Sequence, residues 1–500
     1  MPTPGLTPGQ RLPAFHEEDS VCSPTVLKRL KHLVAPHVDS YNYFLEHGLE
    51  AALADLPPMH QQLGEDLHFQ MKIHSVTIQQ PLKHEDLTST DRLTPRECRE
   101  RHISYTGSME AVVTVNMNDG EQLSVRVKLG EMPVMVQSLK CHLSSCDPKE
   151  LLQMQEEGSE NGGYFIINGI ERVVRLLQVP RRNYATAIER SSFKNRGKAY
   201  SDKGVTMRCV RPDQSSVTIT LHYLTNGGAM LKFSLLKQEM LLPAVLVAKA
   251  LVPVSDKELF DRIVQGDTGN TFLTTRLELL LRDFSAKRLL TTEQCRAHLG
   301  SLLRPFLPLT DSTSDADAGK FLLERFIFVH VAGCRQKCDV LLHMMRKLYS
   351  FAQGLCSADN ADALMNHEIL LPGHLITMIV KEKLEEALKN VKTSIDRDYQ
   401  YKRAHTLGEI RKVAYFQKHF DRHAGPLGSK IIGFLSSGNI ISSSGLDLMQ
   451  VSGYTIVAER LNIFRYMSHF QSVHRGQFFT TMKVRHVSGL ALCLTLTLDP

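Results

Sequence analysis

The sequence has 500 residues, which is enough for roughly two to four domains with buried cores. An apolar fraction of 42% is typical of a globular protein and excludes an intrinsically disordered chain. The formal net charge of +6 permits a nucleic-acid partner without requiring one.

The N-terminal third alternates between helical and strand patterns. Residues 1–20 are rich in proline, glycine and charge, and they predict a poorly packed arm. Apolar residues three and four positions apart predict a helix over 23–53. From 67 to 129 the apolar period changes to two, which predicts β-strands. We expect a short helix over 149–157 and a buried strand that ends in a turn over 162–169.

The remaining sequence continues this mixture. The patterns predict strands over 184–235, helices over 236–300, a polar loop over 311–320 and long helices over 339–390. Residues 431–482 predict a strand, a Ser/Gly loop and an amphipathic helix. Strands and helices that mix without regular βαβ alternation predict an α+β fold with several domains, and they argue against a doubly wound sheet.

Candidate catalytic and metal-binding groups are scarce. Cys334 and Cys338 lie close together, as do Cys141 and Cys146, but neither pair has the second pair that structural zinc requires nearby. Buried structural cysteine is therefore the favoured interpretation. Neither a nucleophile elbow nor a phosphate-binding loop is present, so no catalytic residue and no metal site are predicted.

The expected cellular compartment follows from the lack of membrane and secretory patterns and from the spacing of the cysteines. No run approaches the ~20 apolar residues that a membrane helix needs, and no secretory signal pattern is visible. The ten cysteines are scattered along the chain, which is typical of free thiols in a reducing compartment. We therefore expect a soluble intracellular protein without a membrane partner.

Nucleic-acid contact is the better supported chemistry. Arg181, Arg182 and Tyr184, followed by alternating cations and aromatics over 190–200, combine charges that neutralise phosphates with rings that stack on bases. A similar cluster occupies 397–403. The alternative interpretation is a solvated charged face, and the spacing alone does not decide between the two.

A third candidate is the small polar segment 436–445, whose backbone groups stay available in a loop. Arginines and histidines follow it over 460–475. An ordinary surface loop beside a cationic helix is the alternative interpretation. The predicted nucleic-acid contacts are Arg181, Arg182, Asn439, Ser442, Ser443, Arg460 and Arg465.

Five ordered stretches resemble the second-largest subunit of multisubunit RNA polymerases. The most specific is Gly-Gly-Tyr-Phe-Ile-Ile-Asn-Gly at 162–169, and the others lie at 34–42, 94–99, 129–136 and 437–470. Their order and spacing match over nearly the whole chain. The forms of 35–37, 208–213 and 445–454 resemble the polymerase I type of this family.

The resemblance implies a multidomain layout that forms a cleft wall. It consists of the first part of the protrusion (1–185), the lobe (186–374), the returning part of the protrusion (375–430), the fork (431–484) and a tail (485–500) that does not resemble the family. In this family these domains form one side of the DNA cleft. The fork loops lie near the RNA–DNA hybrid and help to keep the strands apart.

The resemblance also implies an activity, partners and a location. The whole enzyme is a DNA-directed RNA polymerase, a nucleotidyltransferase, and the polymerase I type transcribes rRNA genes in the nucleolus of the nucleus. The implied partners are the largest subunit, accessory subunits that dock on the lobe, DNA and the RNA–DNA hybrid. The catalytic Mg²⁺ sits mainly on the largest subunit. The zinc site and basic active-site residues of the family lie beyond the matching part, so the chain alone is expected to be inactive.

The sequence departs from the family near its C-terminus. It contains no tryptophan, and after about Lys483 it lacks the expected Trp-Gly segment and Pro-Asp/Glu-Gly turn. Residues 490–498 alternate like an unpaired strand. These features predict a truncated product, from an alternative transcript or an incorrect gene model. The alternative function is a non-catalytic isoform that binds polymerase partners or nucleic acid, and the ordered matches disfavour an unrelated binding protein.

Overall fold

The computed structural model describes residues 24–63, 67–83, 92–117, 120, 122–235, 237–307, 313–409, 412–442, 446–448 and 452–475. The predicted arm over 1–20, Ser443 and the predicted tail over 485–500 therefore lie outside the described residues. Helices and antiparallel sheets mix without βαβ alternation, which confirms the predicted α+β class.

The helices of the described part are α1 Pro24–Tyr43, α2 Leu49–Asp55, α3 Pro95–Glu100, α4 Pro148–Gln153, α5 Ala244–Leu251, α6 Asp256–Val264, α7 Thr271–Ser285, α8 Thr292–Leu303, α9 Asp315–Arg325, α10 Cys334–Gln353, α11 Pro372–Glu409, α12 Val413–His423, α13 Leu427–Ser437 and α14 Ile463–Gln471. A π-helical turn, Phe44–Gly48, joins α1 to α2.

The strands are β1 Met59–Leu63, β2 Leu67–Ile78, β3 Thr106–Met117, β4 Gln122–Pro133, β5 Phe165–Ile167, β6 Ile170–Val174, β7 Leu176–Pro180, β8 Thr186–Glu189, β9 Tyr200–Val210, β10 Ser216–Leu224, β11 Ala229–Leu235, β12 Gln238–Pro243, β13 His367–Leu370, β14 Thr455–Val457 and β15 Val473–His474.

A first core forms between the antiparallel sheet β1-β2-β3-β4 and helices α11, α12 and α13. Val113 pairs in register with Val125 across β3 and β4, and both valines are buried. Residues two positions apart in a strand face the same side, so the alternating apolar pattern buries one face of this sheet. The core draws its residues from two separate stretches, 41–179 and 370–454.

A second core lies entirely within residues 185–358. The sheet β12-β11-β10-β9-β8 covers it on one side, and α10 packs against β9 and β10. The chain enters and leaves this region through neighbouring strands, because Pro180 in β7 is the Cα partner of His367 in β13. The second core is thus an insertion between the two stretches of the first.

A smaller third core holds the C-terminal helix α14 against α1. The rings of His37 and Phe470 meet edge to face with centroids 5.2 Å apart. Burial lowers the pKa of His37 to about 4, although its Nε2 contacts the carbonyl oxygen of Val174 at 3.1 Å. The imidazole is therefore neutral at physiological pH and packs as a ring.

Four sequence predictions of secondary structure were wrong in whole or in part. Strand β12 lies at the start of the region predicted to be helical over 236–300, because it pairs with β11. Helix α3 lies within the region predicted to form strands over 67–129, because the capping box of Thr94 and Glu97 starts a helix there.

The polar loop predicted over 311–320 instead contains the start of α9, where the Ser314 hydroxyl accepts a hydrogen bond from the Asp317 amide at 3.1 Å. The polar residues of this segment form a helix cap and first turn, which acidic side chains favour. The strand predicted from 431 is helix α13, because Ile431, Phe434 and Leu435 together form one buried helical face.

Helices α8 and α9 cross backbone to backbone at two glycines. A Cβ atom on Gly300 would lie 1.8 Å from the Asp315 carbonyl oxygen, and one on Gly319 would lie 2.1 Å from the Arg296 carbonyl oxygen. No side chain fits at either position without displacing the neighbouring helix.

We expect Gly300→Ala to lower the free energy of unfolding by about 2–3 kcal/mol, because the added methyl group pushes the two helices apart. Urea unfolding followed by circular dichroism measures this difference. Gly269→Ala is the matched control, since a Cβ atom there meets nothing within 4 Å. Equal urea midpoints for the two variants would contradict the proposed helix crossing.

Candidate nucleic-acid interface

A groove of about 1110 Å³ lies between the second core and the long helix α11. One wall is the outer face of strands β9, β10 and β11, represented by Thr206, Thr220 and Lys232. The opposite wall is the middle of α11, from Lys381 to Lys389. The groove is therefore a junction between the two cores.

The sheet wall is polar because its strands alternate. Ile219 and Leu221 are buried on the inner face, whereas Thr218 and Thr220 line the groove. The Thr220 and Thr206 hydroxyl oxygens are 3.0 Å apart across β9 and β10. A flat row of hydroxyl groups of this kind offers both hydrogen-bond donors and acceptors.

Positive charge dominates the lining of the groove. Eleven lysine and arginine residues line it, compared with five aspartate and glutamate residues. Eight of these cations form ion pairs within the chain, and these are Arg196, Arg208, Arg211, Lys232, Arg325, Lys381, Lys389 and Arg475. Most of the cations thus stabilise the walls, and fewer are available to a ligand.

A buried ion network, which we call the junction network, closes the groove between α2, α11 and the second core. Lys381 contacts both Asp55 and Asp213, and only 8% of its side chain and 1% of the Asp213 side chain are exposed. Arg325 donates to the Asp55 carbonyl oxygen at 3.0 Å, and Arg211 Nε lies 3.8 Å from the Asp55 carboxylate. Burial raises the pKa of Asp55, but Lys381 and the two arginines outweigh burial and hold it below its usual value.

Arg181 lines the groove between β7 and β8, Arg182 follows it directly, and both are exposed. The Arg181 guanidinium lies 5.0 Å from the Tyr184 ring centroid and forms no ion pair among the described residues. Arg182 pairs with Glu368 at 2.8 Å, and Arg208 pairs with the same carboxylate at 2.5 Å. Arg181 thus lies beside an aromatic ring, whereas Arg182 is held by a carboxylate.

The described part of the predicted loop follows α13, and one of its residues contacts α11. Asn439 is exposed directly after Gly438, whose φ of 70° ends α13 in the left-handed conformation. The Ser442 hydroxyl donates to the Glu382 carboxylate at 2.7 Å, which ties the loop to α11. Ser443 is not described, and neither are the side chains of 402–403 in the second predicted cluster.

Arg460 lies in an acidic cluster rather than at the groove. Its guanidinium donates to Glu157 and Glu160 at 3.1 Å and to Glu171 at 2.7 Å. It also lies 4.7 Å from the Tyr466 ring centroid. Burial lowers the pKa of Arg460, but the hydrogen bond with Glu171 and the nearby acidic groups raise it well above its usual value.

A second arginine shares this cluster. Arg99 pairs with Glu156 and, at 3.2 Å, with Glu171. Arg465 lies nearby on α14 and pairs with Glu459 at 2.5 Å on the surface. Arg460 and Arg465 therefore belong to the attachment of α14, whereas Arg181 and Arg182 belong to the groove.

The sequence analysis missed the junction network. Lys381 contacts Asp55 across 326 residues and Asp213 across 168 residues. Such separations leave no local pattern, so the fold alone reveals these partners. The described residues contain no group of three or more His, Cys, Asp or Glu side chains placed to hold a metal ion. No described helix has the length and apolar character for a membrane crossing.

Comparison with known proteins gives consistent similarities. The family model described as RNA polymerase beta subunit matches residues 32–416, and the model described as RNA polymerase Rpb2, domain 3 matches residues 456–490. The second match extends beyond residue 484, where the sequence analysis placed the end of the fork.

Similar full-length proteins are DNA-directed RNA polymerase I subunits. The subunit of Eremothecium gossypii is 42% identical over 483 residues, that of Saccharomyces cerevisiae is 40% identical over 488 residues, and the human subunit is 36% identical over 462 residues. Each alignment covers 92% of this chain and 40% of the relative. The chain thus spans about 40% of the length of these relatives.

Proposed function

The chain belongs to the RNA polymerase beta-subunit family, and we propose that it serves as part of the second-largest subunit of DNA-directed RNA polymerase I. The observation that carries the proposal is its similarity to polymerase I subunits across 92% of the chain. Membership of this enzyme implies the nucleus, and the transcription of rRNA genes implies the nucleolus.

In this proposal the chain contributes surface rather than catalytic groups. Residues 1–185 and 375–430 form the protrusion, 186–374 the lobe and 431–484 the fork, and together they form one side of the DNA cleft. The catalytic Mg²⁺ sits on the largest subunit. We expect this chain to supply no group for phosphoryl transfer, which requires metal ions and cations around the leaving group.

The proposed nucleic-acid contacts are of two kinds. The exposed cations Arg181, Arg182 and Arg465 meet phosphates without reading bases, as a cleft wall that slides along any sequence requires. Asn439 and the serines at 442 and 443 offer polar groups beside the separated strands. Three carboxylates bind the Arg460 guanidinium. Arg460 can contact a phosphate only if these ion pairs break.

Co-purification tests the proposal directly. The chain is expressed with an affinity tag in its native cells, and its partners are identified by mass spectrometry. We expect the largest polymerase I subunit and the accessory subunits that dock on the lobe. Recovery of chaperones alone would reject assembly of this chain into the enzyme.

Neutralising Arg181 and Arg182 to glutamine is expected to weaken duplex DNA binding and to reduce the salt dependence of binding. Each lost phosphate contact lowers the slope of log K against log salt by about 0.9, so the double variant loses roughly 2. Fluorescence anisotropy over a salt series measures the slope.

The matched control for the salt series is Lys287→Gln with Arg288→Gln. Both residues are exposed on the second core and lie outside the groove lining. This double variant removes the same charge and should leave the slope unchanged. An equal loss of slope in the two double variants would show a response to net charge alone.

A further inference from the structure

The sheet wall of the groove already binds one carboxylate from elsewhere in the chain. Asp447 lies opposite the start of β10 and accepts hydrogen bonds from the Ser216 hydroxyl at 3.0 Å and the Thr218 hydroxyl at 2.7 Å. The loop residue is 231 positions from Ser216 in sequence, so the contact is tertiary. The hydroxyl row on this face therefore accepts an acidic side chain that approaches from across the groove.

A group of cations lies on the same wall around the β11–β12 hairpin, and we call it the hairpin cluster. It consists of Arg196, Lys232, Lys237 and Glu239, so three cations and one carboxylate share this part of the lining. Arg196 and Lys232 both pair with Glu239, at 2.8 and 2.5 Å. Burial raises the pKa of Glu239, but Lys232 and Arg196 hold it below its usual value.

The two features are neighbours on the sheet. Thr220 is the Cα partner of Lys232, and Ser216 at the start of β10 and Lys237 just after β11 both line the groove. Lys237 is exposed at the turn and forms no ion pair among the described residues. One extended acidic chain can therefore lie along the hydroxyl row, where Asp447 already accepts two hydrogen bonds, and place its own carboxylates at the hairpin cluster.

We propose that this groove is a docking site for an acidic, partly apolar segment of a partner polypeptide. Its carboxylates join Glu239 among the hairpin cations, and its apolar side chains pack against groove residues such as Val217, Phe306 and Phe326. Charge complementarity supports this occupant, because eleven cations and five carboxylates line the groove.

A polypeptide fits these observations better than a nucleic-acid strand does. A nucleic acid carries a phosphate at every nucleotide and requires a row of free cations. Eight of the groove cations are already paired within the chain, and apolar side chains lie among them. A peptide with scattered carboxylates needs only the local surplus at the hairpin cluster.

Fluorescence anisotropy with the full chain tests the proposal through three labelled probes. These are a short peptide of alternating glutamate and leucine, the same pattern with lysine for glutamate, and a single-stranded thymidine oligonucleotide of equal length. We expect the glutamate peptide to bind most tightly. We expect Lys237→Glu to weaken its binding about tenfold, because the change reverses an exposed charge of the hairpin cluster.

Lys287→Glu makes the same charge change outside the groove and should alter binding by less than about twofold. Lys232→Gln gives a second, milder variant, and circular dichroism confirms that each variant is folded. Equal binding of the lysine peptide would overturn the proposal, as would an oligonucleotide affinity that falls more than the glutamate peptide's affinity in Lys237→Glu. An unchanged affinity of Lys237→Glu for the glutamate peptide would also overturn it.

Discussion

Lys381→Met is expected to lower the free energy of unfolding by about 3–5 kcal/mol, since it removes one partner of a buried ion pair. The methionine fills a similar volume but leaves Asp213 buried, where the remaining donors among the described residues are the Ser215 amide and hydroxyl, at 3.2 and 2.8 Å. Asp55 loses its closest cation in the same substitution. Urea unfolding measures the total loss, and amide hydrogen exchange shows whether the junction of the two cores opens first.

Lys389→Met is the matched control on the same helix. Lys389 pairs with Glu385 at 3.0 Å, but 43% of its side chain is exposed, and exposed pairs contribute about 0–1 kcal/mol. Asp213→Asn added to Lys381→Met should recover part of the lost stability, because it removes the unpaired charge. Similar losses in the two single lysine variants would show that the junction network does not hold the cores together.

The second large effect is expected for Arg460→Met, at about 2–4 kcal/mol of lost unfolding free energy. Arg460 balances Glu160, whose side chain is 2% exposed, and Glu171, whose side chain is 10% exposed. Arg99 remains beside Glu171 but makes no ion pair with Glu160 among the described contacts. Thermal unfolding followed by circular dichroism measures the loss.

Arg465→Met controls for the loss of a cation on the same helix. Its side chain is 51% exposed and pairs with an equally exposed Glu459, so less than about 1 kcal/mol should be lost. A nucleic-acid role for Arg460 predicts a different result. In that case Arg460→Met would reduce DNA affinity at a temperature where the variant is folded, and its melting temperature would match that of Arg465→Met.

Local patterns predicted much of the fold. The helix predicted over 23–53 is present as α1, the π-helical turn and α2, and the buried strand predicted within 162–169 is β5. In the turn after β5, Asn168 has a φ of 51° and Gly169 has a φ of 77°. Positive φ at both residues is the geometry of a two-residue hairpin turn. These elements were predictable because periodicity and turn residues act over a few neighbouring positions.

The ion networks were not predictable in the same way. The sequence around Arg460 indicates an unpaired cation, because its partner Glu160 lies 300 residues away. Helix α13 shows the same limit, because its paired isoleucines favour a strand until the packing of one helical face decides otherwise. The residue roles proposed for nucleic-acid contact remain predictions, since they depend on partners outside the chain.

The insertion of the second core has a consequence for synthesis on the ribosome. The sheet β1–β4 must wait for residues after 370 before its apolar face is covered, whereas the second core is complete once residue 358 has emerged. At ~5–20 residues per second, the roughly 240 residues between the end of β4 and residue 370 take about 12 to 50 s to be made. During that interval the unfinished sheet exposes apolar surface while the second core is still being synthesised, which makes this nascent chain a substrate for chaperones.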